Sequence, residues 1–207
     1  MKTDTLKTEF VPAAEPNSKR LMLVMHGLGD SIDGYRWIQE AMQVPWLNYL
    51  LVNAPDPYYG GFAWYDLYSN AGVGIERSRR LLFALIEDLG KKGHKPSDIV
   101  VSGFSQGCLM SMELALHYPE RFAAIVGISG YMHEPETTEL SPVAKDQRIL
   151  MTHGTQDPLI PIEAVRKQVA VVQKRGIQIE WREFVKAHTI AGETEVKVVR
   201  QFLSDKF

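Results

Sequence analysis

Short runs of Val, Ile and Leu alternate along this chain with longer stretches in which apolar residues recur every three or four positions. The runs at 21–25, 49–52, 99–102, 124–128, 149–152 and 179–184 read as strands. Most are apolar without a break, as in a mainly parallel sheet covered on both faces. The stretches 35–43, 76–89, 106–117, 163–174 and 193–202 read as helices. In the second, Leu81, Leu82, Leu85, Ile86 and Leu89 share the face that would lie on a sheet. Pro119 closes the third helix and Gly176 the fourth. The alternation predicts an α/β chain with right-handed crossovers and helices on both faces of the sheet. Ligand sites in such sheets lie beyond the carboxyl ends of the strands. No repeat, low-complexity tract or linker divides residues 1–207, so a single domain is expected. Two irregular stretches, 55–74 and 131–142, are expected to overhang the site.

Composition narrows the function. The chain has 207 residues, 45% hydrophobic and 23% charged, with a net charge of −2. No basic block is present to neutralise phosphates, which argues against nucleic acid as a partner. No apolar run is long enough for a membrane span. The polar start, Met1-Lys2-Thr3-Asp4-Thr5, lacks the apolar stretch of a secretory signal. A single cysteine, Cys108, rules out an internal disulfide framework and suits a reducing compartment. A cytoplasmic location is therefore expected. Homodimerisation through an exposed apolar patch is compatible with the sequence and is not decided by it.

Gly103-Phe104-Ser105-Gln106-Gly107 fits G-x-S-x-G, between a predicted strand and a predicted helix. That context lifts a short motif above coincidence, because the serine must sit in a strained strand-to-helix turn with its hydroxyl exposed. Ser105 is the candidate nucleophile. Cys108, one turn further on, reads as a small buried residue rather than a thiol nucleophile, since Ser105 occupies the tip of the turn.

A serine hydroxyl needs a base to take its proton. On this architecture the acid and the histidine follow the serine in that order. Only His133, His153 and His188 lie downstream of Ser105, and an acid after the strand at 149–152 leaves His188, in the loop before the last helix. His153 reads as a structural hydrogen-bonding residue, His117 as a helix C-terminal residue, His94 as a solvated loop residue and His133 as a less favoured substrate contact. Asp157, in the loop His153-Gly154-Thr155-Gln156-Asp157-Pro158, is the candidate acid, ahead of Glu134, Glu136 and Asp146. Its task is to fix the imidazole tautomer and to stabilise imidazolium.

His26-Gly27-Leu28-Gly29-Asp30 follows the first strand. It lacks the third glycine of a dinucleotide fingerprint, since Ile32 stands there, and no Walker lysine follows. Its backbone is read as half of an oxyanion hole, with Leu28 N–H paired to Gln106 N–H. Asp30 reads as a cap for the following helix. Trp64, Tyr65, Tyr131, Met132, Leu159 and Ile160, with Phe62, are candidates for an apolar acyl pocket, each equally open to a packing role. Asp66 reads as a loop anchor. The sequence offers no H-E-x-x-H or paired-cysteine ligand set, so neither metal nor cofactor is expected.

With these residues in place the chain resembles the phospholipase/carboxylesterase family of α/β-hydrolases, which includes the acyl-protein thioesterases. The resemblance spans nearly the whole chain and rests on His26–Asp30, Trp64-Tyr65-Asp66, Gly103–Gly107 and Gly154–Pro161 in that order. It implies an α/β-hydrolase fold and a cofactor-free hydrolase of small acyl esters or thioesters, with Leu28 and Gln106 supplying the oxyanion N–H groups. Ala187 stands where the family usually has glycine before its histidine, and Cys108 where it tends to have glycine or alanine. The stretch 55–74 is compact beside the long loop of the thioesterases, which favours a small-ester carboxylesterase over an enzyme of protein thioesters; a lysophospholipase or an acyl-protein thioesterase on the same site is the alternative. A non-catalytic binding protein of the same fold is the remaining alternative.

Overall fold

The computed structural model describes residues 6–204; the polar stretch 1–5 lies outside the described residues. Nine strands and five α-helices follow in the order β1 (Thr8–Val11), β2 (Leu21–Met25), α1 (Ile38–Met42), β3 (Asn48–Val52), β4 (Asp56–Tyr58), β5 (Gly61–Ala63), α2 (Ala71–Lys91), β6 (Ile99–Phe104), α3 (Gln106–His117), β7 (Ala124–Ile128), β8 (Ile149–Gly154), α4 (Ile162–Lys174), β9 (Ile179–Phe184) and α5 (Glu193–Ser204). Seven strands form one sheet in the order β1-β3-β2-β6-β7-β8-β9, parallel throughout except for the β1–β3 pair.

Side chains alternate across the sheet, so each inner strand feeds two cores. Leu21, Leu23 and Met25 of β2 face α2, α3 and α4, whereas Met22 and Val24 face α1 and α5. The six strands expected from apolar runs all form. The chain leaves β2 for β3 on one side and returns to β6 on the other. The carboxyl ends of β2 and β6 thus flank a switch point, the place where sheets of this kind open a crevice. Helix α3 packs against β2, β6 and β7 and is buried from Gln106 to Leu116, which explains why its sequence is apolar all round rather than striped.

Four local features differ from the sequence reading. Edge strand β1 escaped notice because only four half-exposed residues compose it. The stretch 55–74 opens with a hairpin, β4–β5, turned by Tyr59 and Gly60 at φ of 43° and 91°. Helix α2 begins at Ala71 rather than Glu76. Gly74 is needed there because a Cβ would come within 2.9 Å of the Tyr65 Cβ. The helix expected at 35–43 is a 3-10 turn, Ile32–Tyr35, followed by the short α1, and its cap is Ser31 rather than Asp30. The Ser31 hydroxyl accepts the Asp33 N–H, while Asp30 accepts the Ser31 N–H at 2.7 Å.

Candidate active site

Ser105 joins β6 to α3 with φ 54° and ψ −115°, a left-sided conformation that a non-glycine residue adopts only when its surroundings enforce it. The enforcement is steric. A Cβ on Gly103 would run into the Gly107 carbonyl, and one on Gly107 into the carbonyls of Met25 and His26. Only glycine at both places lets α3 start this close to β2. The Ser105 N–H donates to Ile128 O at 2.9 Å and anchors the turn to β7.

The residues at 105, 157 and 188 meet although 83 and 31 positions separate the pairs. Ser105 Oγ lies 2.9 Å from His188 Nε2, and His188 Nδ1 lies 2.7 Å from Asp157 Oδ2. An ionised carboxylate only accepts, so Nδ1 carries the proton and Nε2 is left to accept from the serine. Asp157 Oδ1 accepts the N–H groups of Leu159 and Ile160, each at 2.9 Å. Burial would raise the Asp157 pKa, but the Ile160 N–H, His188 and the Leu159 N–H outweigh it and hold the carboxyl below its ordinary range. The loops bearing Asp157 and His188 are stitched together: Thr155 N–H donates to Phe184 O at 2.9 Å and Gln156 N–H to Lys186 O at 3.1 Å. A Cβ on Gly154 would meet the Lys186 carbonyl, so glycine ends β8 here.

The turn 27–30 after β2 forms the facing wall. Hairpin β4–β5 holds it by Gly29 N–H to Phe62 O and Phe62 N–H to Asp30 O, both 2.9 Å. Beneath it His26 is buried, with Nδ1 2.6 Å from Gly27 O and Nε2 accepting the Ala54 N–H at 3.0 Å. Burial pushes the His26 pKa down, keeping the ring neutral. Among the described residues no hydrogen-bond partner takes up the Leu28 N–H. Leu28 and Gln106 both line the cleft over Ser105.

That cleft has a volume of about 600 Å³, within the range of small-molecule sites. Tyr65, Tyr131, Leu159 and Ile160 line it, joined by Leu67 and Phe104. Trp64 and Met132 are not brought there. Trp64 is fully buried with Nε1 donating to His26 O at 2.9 Å, and Met132 is buried with its backbone held by Gln168. Phe62 packs beside His26, and His133 lies near Gly72 at the start of α2. Asp66 does anchor its loop, accepting Tyr68 N–H at 2.8 Å. His153 donates from Nε2 to Ile160 O at 2.9 Å, a bracing contact on the acid's loop. Cys108 is wholly buried against Gly127 and Gly130, and burial pushes its thiol up to about 12, so it carries no thiolate at neutral pH.

Sequence reasoning missed two contributors. The Gln106 side chain accepts Trp64 N–H and donates to Tyr65 O, each at 2.9 Å, tying the residue after the serine to the loop across the cleft. Lys186 and Glu195 form a buried ion pair behind His188. A glutamate on the inward face of α5, among Val196, Val199 and Phe202, was the readable signal for the latter.

Acyl-protein thioesterase 1 of Schizosaccharomyces pombe is 35% identical over 155 residues, 68% of this chain and 69% of that protein. Acyl-protein thioesterase 1 of Candida albicans is 26% identical and covers 94% and 95% of the two chains. Among solved structures, esterase PE8 superposes with a TM-score of 0.81 at 25% identity, covering 98% of this chain and all of the other. The Bacillus cereus carboxylesterase shares the fold with a TM-score of 0.84 at 16% identity, over 98% and 95% of the chains. The sequence profile of the Phospholipase/Carboxylesterase family matches residues 6–206, and the chain belongs to that family of α/β-hydrolases.

Proposed function

We propose that this serine hydrolase, acting as a single domain, cleaves small acyl esters, with thioesters as a second substrate class, through Ser105, His188 and Asp157. The observation that carries the reading is the unbroken relay Asp157–His188–Ser105, 2.7 and 2.9 Å long, set on a serine held at positive φ. Ser105 Oγ attacks the acyl carbonyl while His188 Nε2 takes its proton. The Leu28 and Gln106 N–H groups hold the tetrahedral oxyanion. His188 then protonates the leaving oxygen or sulfur, and water releases the acyl group from Ser105 by the same steps. Asp157, ionised well below neutral pH, stabilises the imidazolium formed in each half. Thioesters enter because relatives named acyl-protein thioesterase match the chain; the leaving group faces an open cleft, and nothing in the proposed chemistry depends on whether it is oxygen or sulfur.

Leu67, Tyr131, Leu159 and Ile160 offer the acyl chain an apolar surface. Among the described residues no helix is long and apolar enough to cross a membrane. The unpaired Cys108 supports a reducing compartment such as the cytoplasm.

The test is labelling with a fluorophosphonate, then turnover of p-nitrophenyl esters and acyl thioesters of increasing chain length, with Ser105→Ala as control. Label on Ser105 and a loss of about 10⁶ in kcat in the variant are expected. A folded, unlabelled protein that binds acyl ligands without turnover would overturn the reading in favour of a binding protein.

A further inference from the structure

Behind the relay lies a pair of buried charges with no part in the chemistry above. Lys186, two residues before His188, places Nζ 2.6 and 2.7 Å from the two carboxylate oxygens of Glu195 on α5. The side chains are 3% and 0% exposed. The same carboxylate accepts the Ala191 N–H at 2.7 Å, three residues after His188. Glu195 therefore grips both shoulders of the segment 186–191, whose apex carries the base. The Lys186 carbonyl in turn accepts the Gln156 N–H, so the grip reaches the loop of Asp157.

The other bonds at the apex are a local one, Thr189 N–H to Ala187 O at 2.9 Å, and a long one from the Ser129 hydroxyl to Thr189 O at 3.5 Å. Val185, Ala187 and Thr189 are exposed, and the Phe104 ring lies 5.0 Å from the His188 ring. Stability alone does not account for the pair. Taking two charges out of water is costly, and a well-packed apolar pair often stabilises as well or better. Neighbouring inward positions of α5 hold Val196, Val199, Phe202 and Leu203, so this face accommodates apolar residues. Burial lowers the Lys186 pKa and Glu195 opposes that shift. An ion pair with three short, directional bonds adds what apolar packing lacks, a fixed geometry.

We propose that Lys186 and Glu195 are positioning residues, a two-ended clamp that keeps the His188 ring in register with Ser105 and Asp157. The consequence for turnover rests on the serine hydrolase reading; the consequence for the His188–Asp157 bond does not. Displacing a catalytic group by about 1 Å costs up to roughly 10²-fold in rate. Lys186→Met is expected to lower kcat about 10- to 100-fold on p-nitrophenyl butyrate at unchanged KM. The double variant Lys186→Met/Glu195→Leu is expected to recover the wild-type melting temperature without recovering kcat.

The independent readout is the proton NMR signal of His188 Nδ1–H, which lies far downfield while the proton is held against a carboxylate. It should be sharp in the wild type and broadened by solvent exchange in both variants, well below their melting temperatures. If the single variant fails to fold, the double variant decides alone. A double variant with wild-type kcat and a sharp signal would make the pair merely structural and overturn the proposal. An inactive wild type would sink the hydrolase reading, while the Nδ1–H signal would still test the clamp.

Discussion

On one side of the cleft His26 at the end of β2, the segment Trp64–Tyr65 and the start of α3 are tied together by hydrogen bonds between buried groups, and hairpin β4–β5 holds the turn 27–30 beside them. Leu67 and Leu159, which also line the cleft, stand 47% and 70% exposed. Both border the same volume; in the proposed mechanism the first meets the reacting carbonyl and the second the rest of the substrate. Buried polar groups are expensive to leave unpaired, so a wall built from them has one arrangement. An exposed leucine changes shape or identity at little cost to the fold. The chemistry is thus set in the part of the molecule that cannot adapt, and substrate choice is left to the part that can.

The relay gives the sharpest way to break the rigid side. Asp157→Asn keeps the shape and the bonds from Leu159 and Ile160 available, yet an amide can present its NH₂ to His188 and favour the wrong tautomer. A loss of roughly 10⁴ in kcat with little change in KM is expected. Steady-state kinetics check it, and a loss below about tenfold would move the acid's role elsewhere.

Gln106→Ala tests the wall itself while leaving the backbone N–H in place. The substitution strips partners from the Trp64 N–H and the Tyr65 carbonyl, both buried. Each unpaired group costs about 1–3 kcal/mol, so denaturant unfolding should show a total loss of about 2–6 kcal/mol. In the fraction that stays folded, a fall in kcat of roughly 10- to 100-fold is expected from a loosened oxyanion wall. Unchanged stability would mean that the side-chain bridge is dispensable.

Acid should loosen the buried histidine sites, His26 behind the wall among them. Burial lowers the pKa values of His26, His117 and His153, and a protonated His26 would turn a donor toward the Ala54 N–H. In the unfolded chain these histidines take protons near pH 6.5, before the folded protein does, so stability is full above about pH 6.5 and falls below it. Glu113 works in the opposite direction. Burial raises it to about 7 despite Arg79, so its contribution is full below the ordinary carboxylate range and fades as pH rises toward neutrality. Three groups against one predict a melting temperature that drops from about pH 6.5 to about pH 5. A curve rising over that interval would mean that Glu113 dominates.

The same contrast explains what could be read in the sequence. Strands buried on both faces announce themselves as unbroken apolar runs, and β2, β6, β7 and β8 were legible for that reason. Ser105 and Asp157 were legible because each stands just past the carboxyl end of such a strand, and His188 because it follows β9 in the order that the architecture allows. The hairpin β4–β5 was not, since Tyr59 sits where a two-residue turn more often shows Asn or Gly, and each strand has only three residues. Trp64 and Met132 were placed in the cleft because an aromatic or a methionine near a motif has no sequence mark that separates lining from packing. The structure separates them by one bond, the Trp64 indole N–H to His26 O. The Lys186–Glu195 pair depends on two elements meeting in space, and its one mark in the chain is a glutamate among the inward apolar positions of α5.

The smallest effect belongs to the rim and sharpens the comparison most. The Leu159 backbone N–H serves the acid, but its side chain points to solvent along the cleft. Leu159→Ala therefore leaves the Asp157 contact intact and removes only apolar surface that substrate would cover. A fully buried leucine is worth about 1.5–3 kcal/mol, and one this exposed offers a fraction of that to a ligand. Short esters, which do not reach the rim, should lose less than about twofold in kcat/KM; long ones should lose roughly three- to tenfold, nearly all of it in KM. Chain-length profiling of the two proteins checks this. An equal loss for short and long esters would place Leu159 among the groups that meet the reacting carbonyl, and the division between a fixed wall and an adaptable one would fail at that residue.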